Sequence, residues 1–133
     1  MAKDYADSML NLAGFLSCEI QSSQRYRRFT SLLLVSDVTP AEYAQGKQIV
    51  RSSDVSFQIP LGCAWILPET PKSGALVAAN RLKEHLGCPP GSWCIGVASF
   101  PDDGVSASEL LTAAERRLSA SRKTTGTEIV ADD

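Results

Sequence analysis

Apolar and polar positions follow three rhythms along this chain. From residue 4 to 28, Tyr5, Met9, Leu12, Leu16 and Ile20 recur at helical spacing and predict one amphipathic helix. Phe29 to Val38, FTSLLLVSDV, is apolar almost throughout and reads as a strand. Thr39-Pro40-Ala41-Glu42 is a helix start, with Thr at the N-cap, Pro at the first helical position and Glu three residues after the cap. That helix runs to about Val50. Val55, Phe57 and Ile59 then alternate with Ser56 and Gln58, the period of a half-buried strand. Pro60-Leu61-Gly62 punctuates, and Cys63 to Leu67 is a continuous apolar run of the kind found in more deeply buried strands. Pro68 ends it.

The second half repeats the alternation of element types. Pro71 to Leu86 is an amphipathic helix with Leu76, Ala79, Leu82 and Leu86 on one face and Arg81 off that stripe. Gly87-Cys88-Pro89-Pro90-Gly91 is a loop by composition. Ser92 to Phe100 is a strand, followed by a Pro-Asp-Asp-Gly turn. Ser106-Ala107-Ser108-Glu109 forms a capping box, and Leu110, Leu111, Ala114 and Leu118 make the buried stripe of the last helix. Thr127 to Val130 adds an edge strand. The order β-α-β-β-α-β is that of an α+β, ferredoxin-like or palm-type sheet, expected with its helices on one face. The division is an N-terminal helix, 1–28, and a sheet-bearing domain, 29–131, in a single folded unit.

Composition narrows the function classes. Thirteen basic residues against 15 acidic ones give a net charge of −2, so neither DNA nor RNA is an expected partner. No run approaches the ~20 apolar residues of a membrane helix, and the N-terminus, with Lys3, Asp4 and Asp7, lacks the apolar core of a signal peptide. Cys18, Cys63, Cys88 and Cys94 show no CxxC spacing, and a reduced cytoplasmic location is expected.

The corner ahead of the half-buried strand carries the pair Arg51 and Asp54, spaced R-x-x-D, and ILPET closes the hairpin at Ile66 to Thr70. Together with Trp93 to Lys123, WCIGVASFPDDGVSASELLTAAERRLSASRK, these stretches resemble the GGDEF domains of diguanylate cyclases over roughly residues 15 to 130. In that family the catalytic signature fills the hairpin turn. Here the five signature positions, counted back from Pro68, read Ile59-Pro60-Leu61-Gly62-Cys63, and none agrees. The metal-binding aspartate that ends the family's first strand falls on Ser36, with Asp37 one residue off and therefore on the opposite face. The segment after the first strand is short: about fifteen residues separate Ser36 from Arg51, without the Asn and Asp that recognise guanine in cyclases.

Cyclising GTP needs hard oxygen ligands for metal ions. The family's two acidic positions in the turn are Leu61 and Gly62, and Arg122 or Lys123 is the only retained basic element. The resemblance therefore implies no catalytic residues, no metal and no cofactor. It does imply a receptor site for cyclic di-GMP formed by Arg51, Asp54 and Arg81. A guanidinium can fork onto phosphate oxygens or a guanine edge, and a carboxylate can accept from guanine N–H groups. The ligand would be an intercalated dimer that bridges two protein surfaces, so a protein partner or a homodimer is expected.

Plainer readings stand beside these. An R-x-x-D pair is often a surface ion pair worth ~0–1 kcal/mol. In that case the chain is a ligand-free adaptor that docks on a protein through its N-terminal helix, around Met9 and Leu12, or through the hairpin. A residual GTP-binding enzyme is the third reading. Arg25-Tyr26-Arg27-Arg28 is explained by the helix dipole alone. His85, Cys88 and Cys94 lack zinc-site spacing, and Trp65 and Trp93 read as core or sheet-face residues.

Overall fold

The computed structural model describes residues 2–36, 38, 40–49, 54–60, 62–85, 94–123 and 129–132, without the side chains of residues 2–8, 40, 48, 49 and 85. Its elements are α1 (Ala2–Tyr26), β1 (Thr30–Ser36), α2 (Pro40–Ile49), β2 (Val55–Ile59), β3 (Gly62–Pro68), α3 (Lys72–His85), β4 (Ile95–Phe100), α4 (Ala107–Arg122) and β5 (Ile129–Val130). Each element expected from the pattern is present. Thr39, Leu86, Cys88, Trp93 and the start of the last strand lie outside the described residues, as does the side chain of Tyr5.

The sheet order is β2-β3-β1-β4-β5. β1 pairs antiparallel with both β3 and β4, β2 pairs antiparallel with β3, and β5 adds two residues parallel to β4. The first four strands thus form the ferredoxin-like sheet that the element order predicts. The expectation of helices on one face is corrected: they cover both. Leu32, Leu34, Ala64, Ile66, Ala98 and Phe100 pack with Leu12, Leu16 and Ile20 of α1 and Leu110, Ala114 and Leu118 of α4. Leu33, Val35, Cys63, Trp65, Leu67, Ile95 and Val97 pack on the other side with Ala75, Ala79 and Leu82 of α3 and with Tyr43 of α2. The physical reason lies in β1, which is buried at all seven positions. A strand apolar on both faces needs a layer on each, and each fully buried Leu contributes about 1.5–3 kcal/mol.

Two consequences follow for α1. Its stripe belongs to the core: Leu12 and Leu16 are fully buried, and Met9 packs against the same cluster. The expected docking surface around Met9 and Leu12 is therefore not a surface. Among the described side chains of α1, Leu10, at 73%, Tyr26 and Phe15, whose ring meets Phe57 edge-on at 6.2 Å, are exposed.

α4 sits unusually close to the sheet. A Cβ on Gly96 would lie 2.2 Å from the Ala114 carbonyl oxygen, so only glycine permits that approach. The start of α4 has the N-cap half of the expected capping box, Ser106 Oγ accepting from the Glu109 N–H at 3.2 Å, while Glu109 Oε1 accepts from the Val105 N–H one residue before the cap.

Candidate functional site

Strand register brings two positions together at one end of the sheet. Ser36, the last residue of β1, pairs with Gly62, the first of β3, and Gly62 pairs across the hairpin with Ile59. Only Pro60 and Leu61 separate Ile59 from Gly62, and Pro60 is exposed in the turn. Gly62 has φ +155°, and a Cβ there would stand 2.1 Å from the Val35 carbonyl oxygen and 3.1 Å from Ser36 Cα. No side chain fits on that backbone. Ser36 is fully buried, and among the described residues its Oγ has no hydrogen-bond partner. Cys63 is fully buried beside them, and burial, then the charge of Glu42, pushes its thiol above the usual range. This end offers hydroxyl, glycine backbone and an un-ionised thiol. Asp37 and Leu61 lie outside the described residues, and among those described no group of three or more His, Cys, Asp or Glu is arranged to hold a metal ion.

The polar corner is built differently. Asp54 directly precedes β2 and is half-buried, Arg81 is exposed on α3, and Arg51 lies outside the described residues. Phe57 and Ile59 turn to the α1 and α4 side, whereas Ser56 meets α2, its Oγ 3.0 Å from Tyr43 Oη. Tyr43 also packs against Trp65, ring centroids 6.0 Å apart, which fixes α2 over β3. Trp65 is a fully buried core residue, as its apolar run suggests.

At the end of the sheet opposite Ser36 and Gly62 stands a cluster that pattern reading missed. Asp103, in the turn after β4, pairs with Arg117 of α4 at 2.9 Å and with Lys72 of α3 at 3.2 Å; the Asp103 and Arg117 side chains are 7% and 5% exposed. Asp103 also accepts from the Ser99 N–H at 2.8 Å, and Arg117 donates to the Val97 carbonyl at 2.9 Å. Lys72 reaches on to Asp132 in the tail. Burial alone would raise the Asp103 carboxyl; the hydrogen bonds from Arg117, the Ser99 amide and Lys72 hold it below its usual value. In the sequence these residues are spread over sixty positions, and only the Pro-Asp-Asp-Gly turn hinted at one of them.

No protein-family model matches the chain, and no curated protein matches it either. Solved structures do. The GGDEF domain of YfiN (TpbB) from Pseudomonas aeruginosa superposes with a TM-score of 0.81 at 15% identity, over 91% of this chain and 92% of that one. The active GGEEF domain of a diguanylate cyclase from Vibrio cholerae gives 0.77 at 10% identity, over 92% and 96%. This chain has the GGDEF-domain fold. The diguanylate cyclase SiaD from P. aeruginosa, solved in complex with its activator SiaC, matches at 0.77 and 17% identity over 91% of this chain and 56% of that one. At such identities the likeness is one of fold.

Proposed function

We propose that this chain is a catalytically inactive GGDEF-fold domain that binds cyclic di-GMP through Arg51, Asp54 and Arg81 and passes the signal on by contact with another protein. The observation that carries the reading is the turn between β2 and β3. The two positions that register brings together there are a serine and a glycine, and the glycine stands where no side chain fits. Metal-assisted phosphoryl chemistry needs carboxylates to hold the cations and neutralise the triphosphate. A hydroxyl and a backbone amide supply neither. The corner keeps its ionisable groups.

In this reading each guanidinium donates to ligand phosphate or guanine oxygens and the Asp54 carboxylate accepts from guanine N–H groups. Incubation with GTP and Mg²⁺ at high protein concentration should form no cyclic dinucleotide. Arg51→Ala should weaken cyclic di-GMP binding roughly ten- to a hundredfold, the loss of charge-assisted bonds worth about 1.5–3 kcal/mol. Turnover in the first assay, or unchanged affinity in the second, would refute the corresponding half of the reading.

A ligand-free adaptor is the second reading, favoured by the exposure of Leu10 and Phe15 on α1. It predicts no response to cyclic di-GMP and loss of partner binding when Leu10 is made polar.

A further inference from the structure

At the C-terminal end of α1 the chain adopts a conformation that its residue type disfavours. The Arg28 N–H donates to the Ser23 carbonyl at 2.9 Å, closing the helix with a six-residue cap. The residue in the left-handed position of that cap is Arg27, with φ 54°. Glycine normally occupies this place because a Cβ is strained there. Asn would be the next choice. An arginine there gives up stability, and backbone strain of this kind accompanies functional positions.

The strained residue borders an open cleft of about 360 Å³ lined by Ser23, Gln24, Arg27, Arg28, Phe29 and Phe100, with Pro101 at its edge. Phe29 is 43% exposed and the neighbouring Tyr26 is 58% exposed, a large apolar area for an uncovered surface. The two arginines differ in their commitments. Arg28 pairs with Glu69 and lies over the Tyr26 ring at 5.4 Å. Arg27 is exposed, and among the described residues its guanidinium has no ion-pair or hydrogen-bond partner. The lining contains no carboxylate: Glu69, which Arg28 holds, and Asp102, next to Pro101 in the chain, both stand outside it.

We propose that this cleft binds a small anionic aromatic ligand, an aryl or nucleoside phosphate, with Arg27 on the phosphate and the ring on Phe29. The volume falls in the range of small-ligand sites. A cleft lined by both an aromatic ring and an unpaired guanidinium suits a flat group that carries a negative charge at one end. The cleft shares no residue with the Arg51, Asp54 and Arg81 reading and does not depend on it.

Phenyl phosphate and AMP serve as probes, titrated into isotopically labelled protein while the backbone amide resonances are followed. The expected result is saturable shifts confined to residues 23–30 and 99–102, weakened at least tenfold by Arg27→Gly and by Phe29→Ala. Inorganic phosphate alone should bind more weakly. Because glycine suits the left-handed position, Arg27→Gly should also raise Tm by ~3–5 °C. Binding lost while stability rises separates a ligand role from a structural one. Shifts that never saturate, equal affinity in Arg27→Gly, or a lower Tm in that variant would each overturn the proposal. So would a response at these amides to an acidic peptide alone, with none to either phosphate.

Discussion

Asp103 is the residue on which the fold's electrostatics turn. Its carboxylate satisfies Arg117, Lys72 and a strand-edge amide at once. Asp103→Asn would remove the carboxylate that pairs with the buried Arg117 guanidinium at 2.9 Å, and removing one partner of a buried pair costs roughly 3–5 kcal/mol. Chemical denaturation of the variant should show that loss. The sign of the pH dependence follows from the depressed folded-state value. The unfolded carboxyl titrates near ~3.9, so the contribution is fully present above that pH and is lost as pH falls through the lower folded value. Wild-type stability should drop steeply below about pH 4, and Asp103→Asn should flatten that drop. Gly62 makes the complementary prediction. Gly62→Asp introduces a carboxylate at the turn, yet its Cβ would meet the Val35 carbonyl at 2.1 Å. A loss of ~2 kcal/mol or more is expected, with no turnover of GTP. A stable variant that gained activity would show that the turn is permissive.

At the scale of elements, caps and strand patterns were readable because their causes are local. The Ser106 to Glu109 cap forms as its spacing implies, and Ser106→Ala should cost about 1 kcal/mol, seen as a Tm lower by ~3–5 °C. The half-buried alternation of β2 and the apolar run of β3 also appear where the pattern places them. The error concerned layers. LLLV in β1 and CAWIL in β3 are apolar at successive positions, which already requires cover on both faces, yet the helices were expected on one. The same oversight made Leu12 look like a docking residue when it is fully buried. The Asp103 cluster was illegible for another reason: it joins a turn, two helices and the tail, and no local periodicity encodes contacts across such distances.

For the whole molecule, the fold resemblance visible in RSSD, ILPET and the last strand and helix agrees with solved GGDEF domains, at TM-scores that sequence identities of 10–17% do not foreshadow. The sheet then separates three sites. The turn beside Ser36 has no acidic residue from Ile59 to Cys63, while the Asp54 corner on the β2 edge and, nearer β1 and β4, a buried ion cluster and an open cleft lie toward the other end. The measurement that tests the central claim most directly is calorimetric titration with cyclic di-GMP of the wild-type chain and of Asp54→Ala and Arg81→Ala, with GTP plus Mg²⁺ as the control. Arg81 is exposed on α3, and a thermal melt of its variant run alongside separates loss of ligand from loss of fold. Saturable binding of cyclic di-GMP, weakened at least tenfold in both variants, is the predicted result. No heat at ligand concentrations far above micromolar, or equal affinity in all three proteins, would contradict it and leave the corner a structural one.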